Sequence, residues 1–227
     1  MASLEERKPR SRANYSPPSA WAKVPSTTVG ITNGLSLKVP FLYMAGDQSL
    51  LELPAVAIVG SRKASAAGMR RAAQLATALA KAGVVTMSGL AEGIDQAAHR
   101  GAIEAAGKTI AVIGTPLEKA YPAKHADLQA AIYRDHLLVS PFPPRSQVFP
   151  SNFPERNRVM ARLSRATVII EASDTSGSLH QAVECEAVGR SLFIAASVLE
   201  DTALAWPKRF KSAHVMRDPE DVLAQLF

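Results

Sequence analysis

The 227-residue sequence predicts an α/β protein with an extended Rossmann-like fold, a mostly parallel sheet carrying helices on both faces. Three observations predict it. Several short runs are apolar at every position rather than at alternate ones, the mark of strands buried on both faces. Helical segments fall between those runs. Small polar turns join strands to the helices that follow them.

Residues 1–35 hold Pro9, Pro17, Pro18 and Pro25 among Ser, Thr and Gly and show no sustained period, so a flexible basic tail is expected there. The Rossmann domain is assigned to residues 36–227. Its first apolar stretch, Val39 to Gly46, reads as an edge strand or a packed loop. Ala55 to Gly60 is a buried strand, followed by an Ala-rich helix from Ala66 to Ala82 that Gly83 closes. Val84–Ser88 is the next strand, Gly93–Ala106 a helix, and Thr109–Gly114 a third strand. A weaker helix covers His125 to Arg134, and Leu137–Val139 is a short strand. The segment from Pro141 to Pro154 also carries Pro143, Pro144 and Pro150 and is expected to be irregular. Arg158–Ser164 reads as a helix, Thr167–Glu171 as a strand, Ser178–Val188 as a helix and Leu192–Ala195 as a last strand. Asp218–Pro219 opens a small C-terminal helix.

Composition narrows the function classes. Hydrophobic residues make up 47% and charged residues 20%, too apolar for a disordered chain. No apolar run approaches the roughly 18–20 residues of a membrane span, and the first residues lack the apolar core of a secretory signal. The cytoplasm is the expected compartment. Cys185 is the single cysteine, so no intrachain disulfide and no cysteine-based metal cage is expected. The net charge is +6, half of it from the first 28 residues, where Arg7, Lys8, Arg10, Arg12 and Lys23 face only Glu5 and Glu6. Any nucleic-acid binding by the rest of the chain must therefore rest on local clusters.

In parallel sheets ligands sit at the carboxyl ends of the strands, near helix N-termini. After the first strand comes Gly60-Ser61-Arg62-Lys63. Here a tight turn, a hydroxyl, free helix N–H groups and a planar guanidinium suit phosphate oxygens. The alternative is a plain strand–helix turn with surface basics. No G-x-G-x-x-G stands at this turn and no Walker sequence occurs anywhere. After the second strand, Ser88-Gly89-Leu90-Ala91-Glu92-Gly93 suggests a second close approach of backbone to ligand. Asp95 and His99 share a helix face four residues apart, which reads as a structural hydrogen bond in preference to acid–base chemistry. Ser173 to Ser178 forms a third small polar turn, with Ser176, Gly177 and Ser178 at its end. Arg156, Asn157, Arg158, Arg162 and Arg165 lie just upstream without an acid among them; they form either a solvated face or a phosphate contact. The rings available to stack on bases are few: Phe142, Phe149 and Phe153 of the proline-rich segment, of which at least one is expected in the core. No nucleophile–base pair and no metal set stands out. Phosphate recognition without catalysis is the economical reading, and a mononucleotide and a nucleic-acid strand fit it equally.

Six motifs occur in order: Val56-Ala57-Ile58-Val59-Gly60-Ser61-Arg62; Ser88 to Asp95 with Ala98-His99-Arg100-Gly101-Ala102; Gly107 to Gly114; Tyr121-Pro122; Phe153 to Arg158; and Ser176-Gly177-Ser178-Leu179. Over about residues 40–227 this string closely resembles the DNA processing protein A (DprA/Smf) family. The resemblance implies an extended Rossmann fold, a homodimer, single-stranded DNA as ligand, loading of RecA recombinase during natural transformation, and no known catalysis or cofactor. It places Gly60, Ser61 and Arg62 in a DNA-phosphate pocket, Lys124 approximately at a family lysine that faces DNA, and Arg156, Asn157 and Arg158 on the family's Arg-Asn-Arg motif. The sequence departs from the pattern at Ser140-Pro141, at His180-Gln181, at Ala195-Ala196 and across Asp201 to Lys211. The helical domain that many relatives place in front and the winged helix that some place behind are expected to be absent. Two alternatives come from other classes. Enzymes of the LOG type cleave nucleoside monophosphates with a Pro-Gly-Gly-x-Gly-Thr turn and a catalytic Glu; here Gln181 lies near that Glu, with Glu184 a turn later. A nucleotide-sensing or protein-interaction module without DNA binding is the other.

Overall fold

Ala55–Val59 is buried at every residue, as are the runs Val85–Ser88, Thr109–Val112, Leu137–Ser140 and Ala166–Ile169. Strands with no exposed side need cover on both faces, and the chain supplies it with helices. The computed structural model describes residues 15–29 and 35–226. The elements run β1 (Ala22–Pro25), β2 (Phe41–Gly46), β3 (Ala55–Val59), α1 (Ala66–Lys81), β4 (Val85–Ser88), α2 (Ile94–Glu104), β5 (Thr109–Val112) and α3 (Ala126–Asp135). They continue β6 (Leu137–Ser140), α4 (Asn152–Leu163), β7 (Ala166–Ile169), α5 (Ser178–Ala187), β8 (Ser191–Ala195), α6 (Ala196–Leu199), β9 (His214–Met216) and α7 (Pro219–Leu223).

The strands form a sheet in the order β1-β2-β6-β5-β4-β3-β7-β8-β9. β1 pairs with β2, and β2 with β6, antiparallel; every other pairing is parallel. From β3 the chain leaves through α1 toward β4 on one side, whereas β7, its other neighbour, leaves through α5 toward β8. Right-handed crossovers then put α1 and α2 on one face and α4 and α5 on the other. The packing agrees: α1 lies against α2, and α4 against α5. The loops that follow β3 and β7 therefore part in opposite directions and open a crevice at the carboxyl ends of these strands.

Local chemistry sets the helix ends. Ser65 caps α1 by accepting from Gly68 N at 3.0 Å. The other end closes with paired bonds from Gly83 N to Ala80 O and Val84 N to Leu79 O, a Schellman motif with Gly83 at positive φ. Asp218 and Asp221 form a reciprocal capping box on α7.

The structure departs from the sequence expectations in five places. Within the stretch expected to be a flexible tail, residues 15–29 lie on the domain. β1 adds to the sheet, Trp21 meets Tyr43 edge-on at 5.7 Å, and Val29 is buried. A four-residue strand that ends in Pro25 gives too short a period to read from sequence. The tail's Arg7, Lys8, Arg10 and Arg12 lie outside the described residues. Consequently β2 is not an edge strand; β1 covers it. α4 begins six residues before its expected start, inside the proline-rich segment, because Pro154 falls in the first helical turn where no intrahelical N–H bond is lost. β9, three residues long, carried no readable period.

Asp95 and His99 are not bonded to each other. Asp95 accepts from Ala91 N at 3.3 Å. The Thr109 hydroxyl donates to Thr86 O at 2.9 Å, so it accepts from His99 Nδ1–H at 2.7 Å. This leaves His99 Nε2 as a buried acceptor without a partner. Burial pushes the His99 pKa down to about 3, with His136, Arg156 and His125 adding to the effect. The unfolded chain titrates this group near 6.5. Between those values the unfolded state binds the extra proton, so stability falls as pH falls. In urea unfolding from pH 7 to pH 4, His99→Gln should flatten this decline, by up to about 1.4 kcal/mol per pH unit. Equal slopes in the two proteins would contradict the assignment.

Candidate functional site

The crevice between β3 and β7 holds a cleft of about 1390 Å³. Its first wall is the turn after β3. Gly60 is required there because a Cβ would stand 2.7 Å from Glu171 O and 2.6 Å from Ile94 Cγ1. That closeness lets Ser61 N donate to Glu171 O at 2.7 Å, joining the two loops that flank the crevice. Ser61 Oγ accepts from Lys63 N at 3.1 Å, which holds the turn's shape. Arg62 is exposed, and its guanidinium lies 5.4 Å from the centre of the Phe153 ring. Stacked there, it keeps its edge donors for a ligand. Lys63, Arg71 and Lys119 also line the cleft.

The floor is a buried cation. Arg156 is 4% exposed and lies over Gly89, where a Cβ would be only 1.4 Å from its Nη1. Nη1 donates to Val112 O at 2.8 Å, and Nε has no partner. Burial lowers the Arg156 pKa to about 10, and the attraction of Asp95 opposes that shift. The guanidinium stays charged at neutral pH. Burial also raises the Asp95 pKa, against the pull of Arg156 and the Ala91 N–H. Beside this floor a recess of about 50 Å³ is lined by Gly89, Gly114, Tyr121, Phe153 and Arg62.

The second wall is the turn after β7. Ser176 Oγ accepts from Ser173 N at 2.9 Å, and Asp174 accepts from Trp206 N at 2.7 Å, so the loop is fastened at both ends. Asn157 Nδ2 donates to Gly177 O at 3.1 Å and ties α4 to the start of α5. Ser178 opens α5, is 7% exposed, and its Oγ has no partner. Glu171 is held by Ser65 N and Ser65 Oγ at 3.0 and 2.6 Å, so this carboxylate is engaged at the N-terminus of α1.

The fold therefore gathers Gly60, Ser61, Arg62, Arg156, Asn157, Ser176, Gly177 and Ser178 around one cleft. Four other predicted positions behave differently. Gly89 lies under Arg156 and makes room for it. Ser88 is fully buried and donates to Ile58 O at 2.6 Å, a bond that spends its hydroxyl on the neighbouring strand. Lys124 pairs with Glu92 at 2.7 Å and does not line the cleft. Arg158 is exposed on α4 outside the cleft. Of the candidate rings Phe142 is buried, Phe149 is half exposed and Phe153 faces Arg62. Arg162 is buried against Glu184, and its Nη1 donates to Ser36 O. Arg71, Lys119 and Glu171 also line the cleft but were not singled out in the sequence as site residues, while Lys63 and Tyr121 stood there only within the Gly60–Lys63 turn and the Tyr121-Pro122 motif. Arg71 follows cleft-lining Ala67 by one helical turn, a spacing that only a known helix phase makes informative. The two side chains weighed for LOG-type chemistry are committed elsewhere: Gln181 is buried and donates to Thr167 Oγ1 at 3.2 Å, and Glu184 is the carboxylate that holds Arg162.

A sequence model of the family described as DNA recombination-mediator protein A matches residues 27–227. DNA processing protein DprA of Streptococcus pneumoniae is 39% identical over 186 residues, covering 81% of this chain and 66% of its own length. The chain spans 40% of the Smf protein of Synechocystis, also 39% identical. The crystal structure of the S. pneumoniae protein superposes with a TM-score of 0.79 at 36% identity, covering 86% of this chain and 70% of its own. A structure of DNA processing protein A from Helicobacter pylori, concerned with its single-stranded DNA binding mode, gives 0.80 at 25% identity. It covers 95% of this chain and 98% of that one.

Two glycines of the site should answer differently to a methyl group. Gly89→Ala collides with Arg156 and should cost about 1–3 kcal/mol in urea unfolding. Gly177→Ala has no atom within 4 Å of its new Cβ and should leave stability within about 0.5 kcal/mol of the parent. Equal effects would contradict the floor described here.

Proposed function

The chain belongs to the DNA recombination-mediator protein A family, and from that premise we propose that it binds single-stranded DNA through its phosphates in the cleft between β3 and β7. The observation that carries this reading is the grouping of Arg62, Lys63, Arg71 and Lys119 on one cleft whose walls are two strand–helix turns. Cations and helix N-termini of this kind contact phosphate without reading sequence. Tyr121 and Phe149 on the rim are 45% and 50% exposed. Such rings stack on bases only where the bases are unpaired, which favours a single strand over a duplex. The reading assigns binding and no catalysis. Family membership alone supports its further steps: that the protein acts as a homodimer, and that the bound strand is passed to RecA recombinase.

Fluorescence anisotropy of a labelled oligo-dT and a matched duplex at two salt concentrations tests the reading. Binding should prefer the single strand and weaken with salt. Arg62→Ala should weaken binding on every sequence and make the slope of log affinity against log salt shallower by about 0.7, the single-strand value for one lost phosphate contact. An unchanged affinity and slope would remove Arg62 from the site. Failure of the folded protein to bind either strand would overturn the proposal.

A further inference from the structure

We infer that Tyr15 is a positioning residue for the cleft: its hydroxyl holds the loop after β5 so that Lys119 and Tyr121 face the bound strand. The inference rests on the single-strand reading above. Lys119 and Tyr121 line the cleft from a segment that belongs to no helix or strand. Such a segment keeps one shape only where its backbone groups are fastened. Its near end is tied to the sheet, where Ser140 Oγ donates to Thr115 O at 2.7 Å. Thr115 Oγ1 donates to Lys119 O at 2.8 Å, and Lys119 N donates to Pro116 O at 3.0 Å, which closes a turn. Glu118 accepts from Arg145 N on the outer side. Leu117 is buried at the middle of the turn, and its carbonyl is held by Tyr15, 102 residues earlier in the chain.

Tyr15 OH donates to Leu117 O at 2.9 Å and accepts from Gln129 Nε2 at 2.9 Å. Gln129 is a fully buried residue of α3, and the same Nε2 reaches Leu117 O at 3.4 Å and Lys119 O at 3.5 Å. Two N–H groups therefore face three acceptors, and the tyrosine oxygen takes the shortest bond. Gln129 Oε1 has no partner, so the amide is aimed by its donor end alone. Without the Tyr15 hydroxyl, Leu117 O loses its short donor and the amide loses its best acceptor. The long contact to Lys119 O then has nothing to hold it in line. The Tyr15 ring is kept in place from the other side. It meets Tyr133 edge-on with centres 6.5 Å apart, and Tyr133 OH donates to Ser16 O at 2.9 Å. Burial pushes the Tyr15 pKa up to about 12, so the hydroxyl keeps the proton it donates at neutral pH. Lys119 is exposed and makes no ion pair among the described residues, so its charge is left for a phosphate.

The test is the salt dependence of binding to a labelled oligo-dT of about 20 nucleotides, read by anisotropy with the full chain. Tyr15→Phe changes no charge at neutral pH. It should nevertheless weaken binding about fivefold and make the slope shallower by up to about 0.7, the share of the one phosphate contact assigned to Lys119. A loss of stability alone does not move that slope while the protein stays folded. In a Lys119→Gln background, Tyr15→Phe should leave the slope where Lys119→Gln puts it. Gln129→Met removes the amide and should give the same shallower slope; it stands in if Tyr15→Phe melts below the assay temperature. Tyr133→Phe breaks only the neighbouring bond to Ser16 O and should keep the parental slope. A parental slope in Tyr15→Phe, or in Gln129→Met where that variant stands in, overturns the inference and leaves the cleft reading standing. So does an equal shift from Tyr133→Phe. If the parent does not bind single-stranded DNA, the cleft reading falls and the inference falls with it.

Discussion

The site depends on one buried charge. A guanidinium taken out of water is costly unless the surroundings replace the lost hydrogen bonds and field. Arg156 meets that cost with the carbonyl of Val112, the nearby carboxylate of Asp95, and the space that Gly89 leaves by having no side chain. These partners belong to β5, α2 and the turn after β4, so a single side chain of α4 draws three separate elements into one floor. The positive charge it brings lies under the cleft.

The rest of the cleft is built on that floor by the topology of the sheet. The reversal of direction between β3 and β7 opens the crevice, and the bond from Ser61 N to Glu171 O sets its width. Cations run from floor to rim: Arg156 buried, Arg62 stacked on Phe153, and Lys63 and Lys119 in the loops. Two rings, Tyr121 and Phe149, stand half exposed on the cleft's lining. Glu171, one of the acids that line the cleft, is taken up by the capping of α1 and opposes phosphate less than a free carboxylate would.

The fold was legible in the sequence wherever burial was two-sided. β3 is apolar throughout and β4, β5, β6 and β7 carry only one or two Thr or Ser among apolar residues, so their position and the Rossmann-like class follow from the pattern alone. What stayed hidden had little period to offer. β1 and β9 are too short, and the start of α4 is masked by prolines that turn out to sit where a helix tolerates them. The site was half legible. Turns after strands pointed to Gly60–Arg62 and Ser176–Ser178, and both line the cleft. Ser88, which shares a turn with Gly89, instead spends its hydroxyl on Ile58 O, because β3 and β4 lie side by side. Lys119 comes from a loop with no helical phase to announce it, and Tyr121 stood in the sequence only as part of the Tyr121-Pro122 motif. The four-residue spacing of Asp95 and His99 was read as a bond. Each instead found a nearer partner, Asp95 in the Ala91 N–H and His99 in Thr109.

The central claim is that single-stranded DNA lies between the two turns at the carboxyl ends of β3 and β7. Amide hydrogen exchange of the protein, with and without saturating oligo-dT, tests it at the backbone level. The account predicts slowed exchange in residues 60–65, 119–121 and 173–180, with β9 and α7 unchanged. Protection confined to β9, α7 or the outer face of α5, with the two turns exchanging as freely as before, would contradict it.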